Sequence, residues 1–169
     1  MALIPLVEPS QNEMLAQLES KGKRENHFLR MMAHKPEVLK NFVPLYAAIV
    51  GPGAADRRTK ELVYLTASLT NECPYCSAAH KASAQKAGIT DEEIHALETE
   101  QYRGFSAAER AAIQYARELT ESASAVESGE ALFRHFNDEQ VVEITLVTAM
   151  ANFTNRFNNG LRLEPEAEP

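Results

Sequence analysis

The order of apolar and polar residues along this chain favours helices over strands. Alternating β-branched runs closed by Asn-Gly or Asp-Gly turns are missing, whereas the start and stop signals of helices recur from one end to the other. The sequence therefore predicts an all-α fold. The predicted helices cover residues 10–20, 25–33, 36–50, 56–70, 71–88, 90–99, 106–124, 129–136 and 138–158.

Several of these helices carry residues that can cap their ends. A capping box, in which a side chain and the backbone satisfy each other's hydrogen bonds, is predicted for Thr90 with Glu93 and for Ser106 with Glu109. Further N-cap candidates are Asp56, Asn71 and either Asn137 or Asp138. The predicted stops are Gly88, Gly160 and the break Gly51-Pro-Gly53.

One predicted helix, 138–158, is apolar on nearly every side. Such a helix is usually buried, so we expect it at the centre of a helical bundle. No repeat, linker or shift in composition divides the chain, which indicates a single domain over 1–169. Within it, we expect residues 1–35 to form an N-terminal helical appendage and residues 164–169 to form an extended acidic tail.

Composition and charge narrow the class of protein. The chain has 169 residues, is 44% hydrophobic and 24% charged, and so is typical of one globular core. The net charge is −7, and only Arg57, Arg58 and Lys60 form a small basic group, so we expect no nucleic-acid partner. No apolar run approaches the ~18 residues of a membrane span, and the N-terminal residues do not resemble a secretory signal. We therefore expect no membrane partner and a cytoplasmic location.

The two cysteines stand as Cys73-Pro-Tyr-Cys76, at the predicted start of the helix 71–88. If Asn71 caps this helix, both thiols lie in its first two turns, where free backbone N–H groups favour an anion. Thiol pKa values near 8.5 fall to about 3.5–7.5 in such positions. Residues three apart on a helix are also within reach of a disulfide. The pair is therefore expected to cycle between dithiol and disulfide.

His80 lies one helical turn after Cys76, where an imidazole can accept or return the thiol proton. If the helices 56–70 and 71–88 fold back as an antiparallel hairpin, Glu61 comes level with His80. The carboxylate would then orient the imidazole and set its tautomer. Glu61 and His80 are thus the predicted proton relay of the cysteine pair.

Other interpretations of the same residues remain open. Cys73, Cys76 and His80 could bind zinc if a fourth ligand came from elsewhere, and both cysteines could simply be buried thiols. The remaining histidines have no comparable partners and are expected to be structural or solvated; they are His27, His34, His95 and His135. Three aromatic residues are expected in the core or in a pocket wall, namely Phe42, Tyr64 and Tyr75.

This constellation resembles the carboxymuconolactone decarboxylase superfamily, specifically its alkylhydroperoxidase D-like (AhpD-like), peroxidase-related branch. The similar string is Glu61, eleven residues, Cys73-Pro-Tyr-Cys76, three residues and His80. The segments MAHKPEVLKNF at 32–42 and ANFTNRFNNGLRLEPE at 151–166 are also similar, so the resemblance spans most of residues 28–166.

The resemblance implies an all-helical fold that assembles into trimers or dimer-based hexamers. It also implies a peroxidase in which Cys76 attacks the hydroperoxide, Cys73 resolves the product and faces the reductant, and Glu61 and His80 relay the proton. Tyr75 is a difference, because better characterised alkylhydroperoxidases have a histidine between the two cysteines. Lactone decarboxylation is not expected, since the decarboxylases of the superfamily lack this cysteine pair.

The sequence therefore predicts a thiol-dependent hydroperoxide reductase or thiol-disulfide oxidoreductase that serves antioxidant defence and needs no cofactor. Its expected partners are a hydroperoxide, a dithiol reductant and further copies of the chain. One alternative is a redox-sensing or structural helical oligomer without turnover. Another is a zinc-bound module.

Overall fold

The structure is a computed structural model that describes residues 2–20 and 26–166. In these two ranges the chain forms nine α-helices and no strand, which confirms the predicted all-α fold. Short 3-10 turns lie at Pro9–Gln11 and Tyr102–Gly104. The helices are α1 (Glu13–Ser20), α2 (His27–Met32), α3 (Pro36–Val50), α4 (Arg57–Thr70), α5 (Pro74–Lys86), α6 (Asp91–Glu98), α7 (Ala107–Ser122), α8 (Gly129–Phe133) and α9 (Asp138–Leu161).

The predicted helix bounds agree with the structure best between α3 and α7. The segment predicted as one helix over 10–20 is divided into a 3-10 turn and α1, and α8 ends three residues before the predicted position 136. Residue 25 of the predicted helix 25–33 and residues 167–169 of the predicted tail lie outside the described residues. Phe28 and Met31 of α2 are buried in the same apolar cluster as residues of α3, α4, α5 and α9.

The central helix is α4. Leu62, Val63, Leu65 and Ala67 are fully buried, and α4 packs against α5, α7 and α9. The prediction that 138–158 lies at the centre is wrong, because α9 turns one side to α3, α4 and α7 and leaves the other side open. Its outer side carries an exposed apolar stripe whose residues are three or four positions apart: Val142, Leu146, Ala149 and Phe153.

The helix caps are mostly those that the sequence predicts. The Asp56 side chain accepts a hydrogen bond from the Thr59 amide, and capping boxes form at the N termini of α6, α7 and α9. Gly88 follows α5 with φ of +82°, a conformation that glycine adopts without steric cost. Gly160 does not end α9, which continues to Leu161; Arg162 takes the left-handed conformation instead.

Lys60 and Arg58, two of the three basic residues that cluster in the sequence, form ion pairs within the fold. The Lys60 ammonium is buried, donates to the carbonyls of Ile49 and Gly51, and pairs with Glu143 of α9 at 3.0 Å. Arg58 pairs with Glu93 at 2.5 Å and Glu109 at 2.7 Å. These contacts hold the connection between α3 and α4 against α9, and the start of α4 against α6 and α7.

None of the helices in the described parts of the chain is long and apolar enough to cross a membrane.

Candidate functional site

The site lies where the chain reverses between α4 and α5. The amides of Glu72 and Cys73 donate to the carbonyls of Leu69 and Ser68, the pattern of a Schellman motif, and Glu72 takes a left-handed φ of 49°. Asn71 therefore ends α4 and does not cap α5, contrary to the prediction. Its side chain instead contacts two asparagines of α9, Asn152 and Asn155.

Cys73 takes the capping position that the sequence assigned to Asn71. Its sulfur accepts a hydrogen bond from the Cys76 amide at 3.3 Å. Pro74 is the first residue of the helix, a position where an N–H would have no partner within the helix, so the missing N–H of proline costs no hydrogen bond. Cys76 is thus in the first turn of α5. The Cys73 sulfur thus faces a backbone amide that has no acceptor within the helix, as expected for a site that favours a thiolate.

Cys73 and Cys76 are joined as a disulfide with their Cα atoms 5.3 Å apart. The expectation that the pair is within disulfide distance is confirmed. Neither side chain is open to solvent, since Cys73 is 1% and Cys76 3% exposed. The resemblance implied that Cys73 faces the reductant, but only Cys76 lines a cavity; Cys73 turns inward because it caps the buried start of α5.

The predicted hairpin register is also confirmed. Nδ1 of His80 is 3.0 Å from Oε2 of Glu61, and the other carboxylate oxygen accepts a hydrogen bond from Ser83 at 2.5 Å. Burial raises the pKa of Glu61, but the hydrogen bonds and charge of His80, with the hydrogen bond from Ser83, more than reverse this effect and hold the pKa below its ordinary value. The carboxylate is therefore ionised at neutral pH.

The ring of Tyr64 covers one face of the His80 imidazole. Its ring stacks on that of His80 with centroids 3.5 Å apart and an angle of 13° between the planes. The Thr154 hydroxyl donates to a backbone carbonyl, so the Tyr64 hydroxyl donates to Thr154, at 2.6 Å. His80 is thus restrained by a carboxylate at its edge and by a ring at its face. The sequence placed Tyr64 in the core or a pocket wall, which is confirmed, but did not predict the stacking.

The cavity beside Cys76 has a volume of ≈ 220 Å³ and is mainly apolar. Cys76 and His80 both line it, so the two residues share one cavity. Burial raises the pKa of Tyr46 to about 12 and that of Tyr64 well above its ordinary value, so these hydroxyls stay neutral. The aromatic wall consists of Phe28, Phe42, Tyr46, Tyr64 and Tyr75.

Tyr75, between the two cysteines, is anchored by the C-terminal segment. Its hydroxyl donates to the Glu166 carboxylate at 2.7 Å, and the same carboxylate oxygen accepts the His27 amide at 2.9 Å. Burial, followed by the hydrogen bond to Glu166, raises the pKa of Tyr75 above its ordinary value. Tyr75 is therefore a neutral wall residue and supplies no imidazole-like base.

Asn158 of α9 is a site residue that the sequence analysis did not find. Its Nδ2 donates to the sulfur of Cys76 at 3.1 Å, and it lines the cavity. Its position in the sequence is the one feature that could have indicated a role: Asn158 lies on the same side of α9 as the buried residues Ala151 and Thr154. A polar residue on a buried helix face needs a partner, which points to a contact made elsewhere in the fold.

The other residues singled out in the sequence lie away from the cavity. His34 contacts the carbonyl of Pro5, and His95 is 3.6 Å from Glu98. Across residues 2–20 and 26–166, no group of three or more His, Cys, Asp or Glu side chains is arranged to hold a metal ion. The zinc alternative, which needs a further ligand beside Cys73, Cys76 and His80, therefore finds no such ligand in this part of the chain.

The chain is similar in sequence to a described family and to known proteins. Residues 36–118 match the carboxymuconolactone decarboxylase family. The chain is similar to the uncharacterised protein YdfG of Bacillus subtilis (strain 168), with 29% identity over 107 residues, which are 61% of this chain and 73% of that protein.

Two solved structures share the fold. The alkylhydroperoxidase AhpD core of an uncharacterised peroxidase-related protein from Ralstonia eutropha JMP134 superposes with a TM-score of 0.82 at 21% identity, over 98% of this chain and 92% of that one. The debrominase Bmp8 superposes with a TM-score of 0.83 at 21% identity, over 98% and 92%, and a cysteine-to-alanine variant of it was solved in complex with 2,3,4-tribromopyrrole. The family match contains Glu61, both cysteines and His80, so this part of the chain, residues 36–118, belongs to the carboxymuconolactone decarboxylase family, and the chain has the fold of the AhpD core.

Proposed function

We propose that this protein is a thiol-dependent hydroperoxide reductase in which Cys76 attacks the peroxide. One observation carries the proposal: Cys76 and the Glu61-paired imidazole of His80 line the same mainly apolar cavity. A nucleophile and an oriented base facing one substrate-sized space are the elements of nucleophilic catalysis.

The reaction begins with the reduced pair. His80 accepts the Cys76 proton, and the thiolate attacks the terminal oxygen of R–O–OH. An S–O bond forms and the O–O bond breaks, so sulfur is oxidised by two electrons to a sulfenic acid and the peroxide is reduced. The leaving alkoxide takes the proton from His80 and departs as an alcohol. Cys73 then attacks the sulfenic sulfur, releases water and closes the disulfide.

The reductant is an external dithiol that reaches Cys76 through the cavity. Its thiolate attacks the Cys76 sulfur, and Cys73 leaves as a thiolate beside the Cys76 amide at the start of α5. A thiolate stabilised at a helix N terminus is a good leaving group. The second thiol of the reductant then releases Cys76 and forms the reductant's own disulfide. This order of attack is proposed because Cys76, and not Cys73, lines the cavity.

The cavity favours an organic hydroperoxide over hydrogen peroxide. Five aromatic rings line a space of ≈ 220 Å³, and an apolar space of about 150 Å³ already holds a benzene ring. An alkyl or aryl group gains free energy from burial against these walls, whereas hydrogen peroxide has no apolar surface to bury.

Turnover is the measurement that tests the proposal. With dithiothreitol as the dithiol, we expect the protein to consume many equivalents of cumene hydroperoxide. A redox sensor would consume about one equivalent and stop. Because the debrominase of the same fold was solved with a bromopyrrole, 2,3,4-tribromopyrrole is the parallel substrate. Bromide release without peroxide loss would reassign the activity, and failure to consume either compound would refute the proposed reductase.

We also propose that the protein is a homo-oligomer joined through an apolar face on α3 and α9. This apolar face consists of Val38, Leu45, Val142, Leu146 and Phe153, all exposed. Exposed apolar residues that cluster on neighbouring helices are typical of protein–protein contact surfaces. We expect light scattering at micromolar concentration to give a multiple of 18.8 kDa, and Leu146→Glu to reduce that mass. A wild-type mass near 18.8 kDa would contradict the assembly.

A further inference from the structure

The buried side chain of Asn158 has a hydrogen-bond partner for its nitrogen but none for its oxygen. The residue is 2% exposed, and its Nδ2 donates to the sulfur of Cys76. A disulfide sulfur carries no proton, so the amide N–H, and not the amide oxygen, must be the group that faces it. Oδ1 has no hydrogen-bond partner and is the single buried side-chain nitrogen or oxygen in this state among residues 2–20 and 26–166.

Three other polar groups of the cavity wall are already engaged. Tyr64 donates to Thr154, Tyr75 donates to Glu166, and Nδ1 of His80 faces Glu61. A buried acceptor without a partner costs free energy that a bound donor can recover. The unpaired oxygen of Asn158 therefore points to a ligand that carries an O–H or N–H group at its cysteine end.

We propose that Asn158 orients the hydroperoxide at Cys76, its Nδ2 donating to the thiolate while its Oδ1 accepts the terminal O–H of the substrate. This inference rests on the proposed hydroperoxide reductase. The oxygen that carries the hydrogen is the one that the thiolate attacks, and it becomes the S–O–H oxygen of the sulfenic acid. The O–O bond breaks, and the alkoxide takes its proton from His80. Asn158 gains and loses no proton in this step.

The two halves of the amide have separate consequences. The N–H stabilises the thiolate, so its loss raises the apparent pKa of Cys76 with any electrophile. The oxygen acts on a substrate whose attacked atom itself carries an O–H, so its loss slows the reaction with a hydroperoxide and spares iodoacetamide, whose attacked carbon carries no hydrogen-bond donor. The other titratable groups that line the cavity are His80 and the three tyrosines Tyr46, Tyr64 and Tyr75, and they are unchanged by a substitution at Asn158.

The test compares two electrophiles in a Cys73→Ser background, where Cys76 is the single thiol. For Asn158→Ala we expect the apparent thiol pKa, followed with iodoacetamide, to rise by about half to one unit. At about pH 9.5, above the ordinary thiol pKa of about 8.5, Cys76 is a thiolate in every variant. There we expect the rate constant with cumene hydroperoxide to fall at least about tenfold and that with iodoacetamide to change less than about twofold.

Two further variants keep the test decisive. Asn155→Ala is the matched control, because Asn155 is another fully buried asparagine on α9 and bonds to Ser68 and Asn71 away from the cavity. We expect it to change both rate constants by the same factor. Asn158→Asp keeps an acceptor oxygen and the side-chain shape, and should raise the thiol pKa further while retaining more hydroperoxide rate at high pH than Asn158→Ala.

The inference would be overturned if Asn158→Ala slowed both electrophiles equally at high pH and left the thiol pKa in place, as a purely structural role predicts. Failure of the underlying function is a different result. In that case the wild-type thiolate would react with cumene hydroperoxide no faster than a free thiol does, and the iodoacetamide profile would still decide whether Asn158 stabilises the thiolate.

Discussion

Cys76→Ser is expected to abolish hydroperoxide reduction, whereas Cys73→Ser is expected to consume about one equivalent of peroxide per chain and then stop. The physical reason is location: the sulfur of Cys76 lines the cavity and contacts Asn158, and Cys73 is buried behind it. Without Cys73 the sulfenic acid on Cys76 has no thiol to condense with. A dimedone-type reagent should then label Cys76, as mass spectrometry of the tryptic peptide would show.

Each cysteine variant is the control for the other, since both remove the disulfide and leave one thiol. If the label were found on Cys73 in Cys76→Ser, and not on Cys76 in Cys73→Ser, the two roles would be exchanged. Loss of activity in both variants without any sulfenic acid would instead favour a disulfide that forms by exchange with another disulfide.

Glu61→Gln is expected to slow oxidation of Cys76 by about tenfold or more at neutral pH, because general-base assistance is worth about 10²–10⁴-fold. Glutamine keeps the size of the side chain but removes the charge that faces the imidazolium formed when His80 accepts the thiol proton. The pKa of Glu61 lies below its ordinary value, so the wild-type carboxylate is ionised throughout the assay range.

The pH dependence of this defect distinguishes the relay from a structural role. We expect the full defect below the ordinary thiol pKa of about 8.5 and a shrinking defect above it, where hydroxide forms the thiolate without assistance. His80→Gln should behave in the same way. Stopped-flow thiol loss across this range is the measurement.

Glu109→Gln is the matched control for the relay. Glu109 is also paired and largely buried, with a side-chain exposure of 18% against 14% for Glu61, but it pairs with Arg58 and not with His80. We expect Cys76 in the Glu109→Gln variant to be oxidised at the wild-type rate at every pH. If Glu61→Gln and the wild type were oxidised at equal rates at every pH, Glu61 would have no part in the reaction. The start of α5 and Asn158 would then be the groups that activate Cys76.

The part of the site that depends on spacing was predictable. Helical geometry places residues three or four apart on one face, which relates Cys73 to Cys76 and Cys76 to His80. The register of two consecutive helices then follows from the short turn between them, and this is how Glu61 was matched to His80. Asn158 and Glu166 were not predictable in this way, because they reach the motif from more than eighty residues away.

The bounds and caps of the helices are local properties, and the amino-acid sequence is sufficient for most of them. Asn71 is an exception. It was expected to cap α5, but it ends α4, whose Schellman motif continues through Glu72 and Cys73.

The choice of central helix was decided by the tertiary structure alone. Apolar content favours α9, yet α4 is the buried one although it carries Lys60, Thr66 and Ser68. Thr66 and Ser68 donate to backbone carbonyls four residues earlier, and Lys60 donates to two carbonyls and pairs with Glu143, so their polar atoms need no water. Polar side chains can be buried when such partners are present, and whether a distant partner is present depends on how the helices pack. The same reason explains why the fold was needed to find the free oxygen of Asn158 beside Cys76.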